Sequence, residues 1–325
     1  MNALIIKELD IMRRTSVSEE KGGHKSRQYA TAIKTIQELP SDIVTMADVP
    51  SGAGTGIGDK IREKISEILD TGALAAADKA RAVKAPDSLD AFQKIYGVGP
   101  KKAAELVAAG YTTIAELTAA AAKDPKLLNK NQRVGLRYYE DLQLRIPRSE
   151  MEVHEATLMS HKPAALEGVI VGSFRRGRPD SGDIDMMISP TTEFTDGPLA
   201  LANYVATLRA VGYLKEILAL GPHKCLAISQ LPGQKARRLD LLVTPPSSFA
   251  ASVLYFTGSD GFNVAMRQVA KDKGFTLNEH GLMRTATKVF VTGLKQERDI
   301  FTALGLQWKE PHERTGPEAV IVVPK

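Results

Sequence analysis

Asp183 and Asp185 stand two residues apart in the stretch GSFRRGRPDSGDID, and a third aspartate, Asp240, stands in RRLDLLV well downstream. Period two puts Asp183 and Asp185 on the same face of an extended segment. In the second segment Leu239 and Leu241 point inward and leave Asp240 on the opposite, open face. The chain is thereby constrained to a fold that lays two distant segments side by side as strands. Carboxylates gathered this way repel one another unless a cation lies between them, and hard oxygen donors suit magnesium, with waters and phosphates completing its octahedron. Three carboxylates on neighbouring strands are what two-metal phosphoryl transfer needs, one ion activating an attacking hydroxyl and the other holding the leaving phosphates. An Asp-X-Asp pair alone is commonly a solvated strand end. Here a strand ending at Val171 runs into a turn at Gly172 and Ser173, where backbone N–H groups and a hydroxyl can meet phosphate oxygens.

The rest of the chain falls into two styles. Residues 1 to 150 show apolar positions at helical spacing, in SRQYATAIKTIQEL, in DKIREKISEILDTG with its stop at Gly72, and again in AFQKIYGVGPKKAAELVAAG and LLNKNQRVGLRYYEDLQLRI. From about residue 168, apolar runs rich in β-branched residues alternate with helices such as LALANYVATLRAVG. The expected fold class is α+β and multidomain, helical in front and mixed-sheet behind, with joints at Pro147 and around Asp196 to Pro198. One repeat stands out: Gly56-Ile-Gly58 and Gly97-Val-Gly99 each lead straight into a helix. Such a hairpin leaves N–H groups at a helix start facing outward, suited to phosphate and blind to base identity. The longer run SGAGTGIG is not a dinucleotide fingerprint, because no strand precedes it.

Charge adds little. The net charge is +5, but residues 1–85 hold 13 basic and 12 acidic groups, 86–150 hold 10 and 8, and 151–325 hold 20 and 18. There is no basic domain, so a nucleic-acid partner must be held by local placement of donors. The single cysteine, Cys225, excludes an intramolecular disulfide and fits a reducing intracellular compartment, with packing as its expected role. No apolar run reaches membrane-spanning length, so no membrane partner is expected.

Together GSFRRGRPDSGDID and YFTGSDGFNVAMR resemble the nucleotidyltransferase core of the family X DNA polymerases, the beta type most closely. The likeness extends to HKSRQYATAIKTIQELP, both glycine hairpins, NQRVGLRYYEDLQLRIPR and the late WKEP. It implies a helical 5′-deoxyribose-phosphate lyase domain over 1–78, a helical DNA-binding part with the second hairpin over 79–141, a nucleotidyltransferase palm over 142–246 and a nucleotide-selecting α/β part over 247–325. It implies that Asp183, Asp185 and Asp240 hold two Mg2+ ions, which Mn2+ can replace, and that Gly172, Ser173, Arg176, Ser181 and Gly182 grip the triphosphate of a deoxynucleotide. Tyr255 and Phe256 are then set against the sugar, with Gly258 in register. Asp260 stacks on the base, Asn263 reaches its minor-groove edge, Arg267 meets the template and Arg238 the primer end.

For the front domain the resemblance implies Schiff-base chemistry at Lys64. An amine in that role must be deprotonated often enough to attack a sugar aldehyde. Lys60, one helical turn earlier, shares its face. His24, Lys25 and Tyr29 match the family's phosphate and sugar contacts, and the turns with Gly56, Gly58, Gly97 and Gly99 its DNA contacts, with Na+ or K+ on their carbonyls. The sequence departs from the family pattern at four places. SGAGTG has two extra residues, Ala76 stands where a backup lysine is expected, Leu242 replaces an arginine that helps switch Asp240, and His280 replaces a tyrosine.

The expected partners are gapped or nicked duplex DNA and deoxynucleoside triphosphates. The chain is expected to act as a monomer alongside other repair proteins, in the nucleus, with a mitochondrion or another DNA-containing organelle left open. Two other readings stand beside this one: a nucleotidyltransferase that needs no template or acts on RNA, and a non-catalytic scaffold for DNA ends.

Overall fold

The computed structural model of the chain describes residues 1–16, 22–52, 55–82, 85–192 and 196–323. It comprises two units, Met1–Tyr139 and Glu140–Lys325. Among the described residues no helix is long and apolar enough to cross a membrane.

The first unit is helical. α1 (Asn2–Ser16), α2 (Gly22–Gln37), α3 (Asp59–Thr71) and α4 (Ala75–Ala82) enclose one core, built around Ile5, Leu9, Ile36, Ile65 and Ile68. In α3 the buried positions Ile61, Ile65 and Ile68 recur at the four- and three-residue spacing of a single helix face. Gly72 ends that helix at φ +72°, where its N–H returns to the Ile68 carbonyl. A second core, with Phe92, Val98, Leu106 and Leu117, lies among α5 (Ala85–Gln93), α6 (Pro100–Ala108), α7 (Ile114–Lys123) and α8 (Lys130–Arg137). The single turn α9 (Tyr139–Leu142) follows.

The two glycine turns share one backbone. Gly56 and Gly97 take φ values of +70° and +81°, while Gly58 and Gly99 are the N-caps of α3 and α6 at −84° and −82°. Gly56 is also fixed by crowding, since a Cβ there would lie 2.7 Å from the Ala32 nitrogen. At Gly58 and Gly99 a Cβ would meet nothing within 4 Å, so the starts of both helices stand open. In the second turn Gln132 donates Nε2 to the Gly97 carbonyl at 3.0 Å. Of the two extra residues in SGAGTG, whichever fall at 53 and 54 lie outside the described residues.

The second unit is built on a mixed sheet. Its strands are β2 (Leu166–Ile170), β4 (Ile184–Pro190), β5 (Leu214–Leu220), β6 (Lys224–Gln230) and β7 (Ala236–Val243), alongside a small pair, β1 (Ile146–Pro147) with β3 (Asp180–Ser181). The order is β2-β4-β7-β6-β5, with β4 and β7 parallel and the other neighbours antiparallel. Alternate residues of β4 and β7, among them Ile184, Met186, Leu239 and Leu241, join a core with α10 (Arg148–His161) and α12 (Gly197–Ala210). The single turn α11 (Gly172–Arg175) follows β2. A further core, with Leu254, Phe262, Leu282 and Phe301, lies among α13 (Pro246–Thr257), α14 (Asp260–Asp272), the hairpin β8 (Phe275–Asn278)–β9 (Gly281–Arg284) and α15 (Glu297–Ala303).

Neither expected joint divides the units. Pro147 pairs with Asp180 in a two-residue strand, where its missing N–H is tolerated, and Asp196 caps α12 by accepting from the Leu199 N–H.

Beneath the sheet lies a polar network. Arg237 donates Nε and Nη2 to Glu150 at 2.7 and 2.8 Å, and His154 is wholly buried with Nδ1 2.7 Å from the Tyr213 hydroxyl. Burial pushes the His154 imidazole down to about 4, and the nearby Arg237 charge acts the same way against the attraction of Glu150. The unfolded chain takes up this proton near the ordinary value of 6.5. Stability is therefore full above pH 6.5 and falls as pH drops toward 4, by about 3 kcal/mol from this group. Thermal melts from pH 7.5 to 4.5 should show that loss, and His154→Asn should flatten it.

Candidate active site

Parallel pairing of β4 with β7 sets Asp185 directly opposite Asp240. Asp183 lies two residues before Asp185, just ahead of β4. The inward turn of Leu239 and Leu241 agrees with period two, yet Asp240 is not on an open face and is 8% exposed. The reason is that α13 packs on this side as well: Val253 meets Val171 and Met187, with Leu242 and Phe256 beside them.

Positive groups are already drawn to the cluster. Arg238 reaches Asp183 at 2.9 Å and Lys224 reaches Asp240 at 3.1 Å. Burial, followed by repulsion from Asp183 and Asp240, pushes the Asp185 carboxyl up to about 7. Among the described residues no three His, Cys, Asp or Glu groups stand close enough together to hold an ion as they are. Two of the three carboxylates are engaged by these basic side chains. The donor set nevertheless fits a hard divalent cation: oxygen ligands only, crowded negative charge, and a glycine, Gly172 at φ +65°, whose Cβ would come 3.4 Å from Asp185 Oδ2.

Gly172 opens α11, where the strand ends one residue earlier than expected and Val171 serves as N-cap. Ser173 donates its hydroxyl to Ser181 at 3.1 Å, joining two of the expected phosphate contacts. Gly182 is exposed, and a Cβ there would lie 3.1 Å from Arg145 Nη1. Arg145 also pairs with Asp180 at 2.6 Å.

A cavity of about 340 Å³ brings the other expected nucleotide residues together. Gly172, Arg176, Tyr255, Phe256, Gly258, Asp260 and Asn263 line it, together with Arg267, expected at the template, and Val264, which was not anticipated. Arg176 donates Nη1 to the Thr257 carbonyl at 2.5 Å. Tyr255 and Phe256 meet edge to face at 5.2 Å, and the Arg267 guanidinium lies 5.9 Å from the Tyr255 ring centre. Asn263 donates its amide to the Tyr255 carbonyl at 2.6 Å, so that donor is engaged within the protein. Leu242 is packed rather than charged, and His280 is exposed 3.7 Å from Glu279.

In the first unit Lys64 is half-buried on α3 and donates to the Lys60 carbonyl at 3.3 Å, with Lys60 exposed one turn before it. His24 and Lys25 are exposed on α2, whereas Tyr29 is 9% exposed and packs in the core. Ala76 is exposed in α4.

Sequence reasoning missed Lys224 and Arg145. Both act across strand pairings that no local spacing announces; only the polar start of an apolar strand, at HKCLA, hinted at the lysine.

Four family models match the chain in succession. They describe a helix-hairpin-helix domain over 1–74, the fingers domain of DNA polymerase lambda over 90–143, the DNA polymerase beta palm over 145–246 and the DNA polymerase beta thumb over 252–315. Among curated proteins the chain is similar to DNA polymerase lambda of Arabidopsis thaliana, 30% identical over 89% of the chain and 58% of that relative. It is likewise similar to DNA polymerase lambda of Rattus norvegicus, 33% identical over 88% of the chain and 52% of that relative. The chain thus spans little more than half the length of these relatives. The names are divided between beta and lambda, so the expected closeness to the beta type is not distinguished from closeness to lambda.

Proposed function

Because the chain belongs to the family X DNA polymerases, we propose that it is a template-directed polymerase that fills short gaps during base excision repair and removes 5′-deoxyribose phosphate. One observation carries the reading: the cavity that gathers Arg176, Tyr255, Phe256, Gly258, Asp260 and Asn263 opens at Gly172, whose Cβ position borders Asp185 opposite Asp240. A triphosphate held at Gly172, Ser173, Arg176, Ser181 and Gly182 has its α-phosphorus beside the three aspartates.

In this reading a primer 3′-hydroxyl attacks the α-phosphorus and pyrophosphate leaves. Asp183, Asp185 and Asp240 would hold two magnesium ions, which would activate the hydroxyl and neutralise the leaving phosphates. Arg176 and the Ser173 hydroxyl stabilise charge growing on the pyrophosphate. Tyr255 and Phe256 crowd the sugar position where a ribonucleotide carries its 2′-hydroxyl. Asn263 exchanges the Tyr255 carbonyl for the base edge when a nucleotide enters. Arg238 leaves Asp183 for the primer end, and Arg267 meets the template. We assign the lyase to residues 1–78, with Lys64 as nucleophile and Lys60, His24, Lys25 and Tyr29 on the sugar phosphate. The open starts of α3 and α6 take DNA phosphates, with a monovalent cation at the turn carbonyls.

The test is single-nucleotide gap filling with a 5′-deoxyribose phosphate, magnesium, each nucleotide in turn and borohydride. Template-matched insertion and a trapped adduct that Lys64→Ala removes are expected. Insertion without regard to template would replace this reading with a template-free nucleotidyltransferase, and an adduct surviving Lys64→Ala would remove the lyase assignment.

A further inference from the structure

We propose that Lys224 is the resident counter-cation of Asp240, and that a divalent ion must displace its ammonium to reach that carboxylate. The inference rests on the reading that Asp183, Asp185 and Asp240 hold divalent ions.

The strand register explains why this lysine meets that aspartate. In the antiparallel pairing of β6 with β7, Lys224 lies opposite Leu242, and Leu226 lies opposite Asp240. Residues 240 and 242 share a face, so Asp240 is the diagonal neighbour of Lys224. A long side chain spans that diagonal, and the ammonium closes to 3.1 Å from Asp240 Oδ2.

The chemistry on either side fits the assignment. Position 242 is where the family resemblance led us to expect an arginine beside Asp240. Leu242 instead packs with Val253 and Phe256, where an arginine would have to bury its charge. The positive charge comes from the adjacent strand. The Asp240 side chain is 12% exposed, too sheltered for water alone to balance its charge beside two other aspartates, whereas Lys224 is 47% exposed and free to swing out once a stronger cation arrives. Arg238 covers Asp183 in the same way at 2.9 Å, but its position matches a primer contact. Lys224 had no role in the reading from sequence.

The consequence is competition between ammonium and metal. Removing the lysine should raise affinity for a divalent ion, where removing a ligand would lower it. The ion pair is half-exposed and screened, so the expected gain is on the order of tenfold.

The experiment titrates the full chain with Mn2+, without DNA or nucleotide, and follows the free ion by electron paramagnetic resonance. Lys224→Met should bind about ten times more tightly than the wild type, and Lys224→Arg should bind like the wild type. Adding Leu242→Arg to Lys224→Met should return the affinity toward the wild-type value. Asp240→Ala should lose the site whether or not Lys224 is present. Unchanged or weaker binding by Lys224→Met, or an equal gain in Lys224→Arg, overturns the proposal while the loss in Asp240→Ala leaves the metal reading intact. Binding that Asp240→Ala does not alter overturns both.

Discussion

Asp240→Ala should reduce nucleotide insertion by about a thousandfold or more while leaving gapped-DNA binding in place. The size follows from what the carboxylate is placed to do. Asp240 stands opposite Asp185 across the parallel pair β4 and β7, the one point where the two chain segments bring acidic side chains into register. A group there that helps hold a metal is worth several kcal/mol of transition-state stabilisation, and each 1.4 kcal/mol is about tenfold in rate. The open helix starts at Gly58 and Gly99 and the side chain of Arg267, the proposed DNA contacts, are untouched by the change, so binding to DNA should persist. Folding should not suffer. Burial and two neighbouring carboxylates already push Asp185 up to about 7, and deleting one of them relieves repulsion. Single-turnover insertion on a gapped duplex, fluorescence anisotropy for binding and a thermal melt give the three readouts. A variant that keeps insertion within tenfold of wild type would remove Asp240 from the catalytic site. A variant that loses insertion and binding together would mean that the substitution disturbed the fold.

The parts of this arrangement legible in the sequence are those written in short-range spacing. Two glycines separated by one apolar residue ahead of a helix announced a turn, and Gly56 and Gly97 share a left-handed backbone because only that geometry reverses the chain so tightly. Leu239 and Leu241 announced the face of β7. What period two could not supply was the cover on the other face. Nothing near RRLDLLV says that α13 will lay Val253 and Phe256 beside Leu242, so Asp240 read as open when it is 8% exposed. Lys224 was hidden for a related reason, because its partner is set by the register of two strands and not by its neighbours. Tyr29 shows how little motif likeness says about burial: the likeness marks it for ligand contact, and its place on α2 sets it in the core at 9% exposed.

Glu297→Gln should destabilise the second unit by roughly 3–5 kcal/mol and weaken nucleotide binding. Glu297 accepts from two arginines, Arg175 through Nη1 and Nη2 at 3.0 and 2.6 Å and Arg314 through Nη1 at 2.6 Å. The Arg314 side chain has no exposure at all, and its guanidinium lies 5.0 Å from the Trp308 ring centre and 5.5 Å from that of Phe301. Its remaining Nη2 has no hydrogen-bond partner, so neutralising Glu297 would leave this buried charge with only the weaker pull of Glu310 to offset its burial. A unit of this size should lose about 10 °C in Tm. The functional loss follows from the same atoms. Arg175 also donates to the Thr257 hydroxyl at 2.8 Å, and the Thr257 carbonyl accepts from Arg176 at 2.5 Å, beside Gly258 in the cavity proposed for the nucleotide. Loosening Glu297 therefore frees the turn that steadies Arg176, and KM for the nucleotide should rise more than kcat falls. Replacing Arg175, Glu297 and Arg314 together by Met, Leu and Met should recover much of the lost stability, because no buried charge is then left alone. It should not recover KM, because Thr257 has still lost its arginine. A melt within about 2 °C of wild type for Glu297→Gln would mean that the two arginines find other partners. A triple variant with wild-type KM would mean that packing alone holds the Gly258 turn.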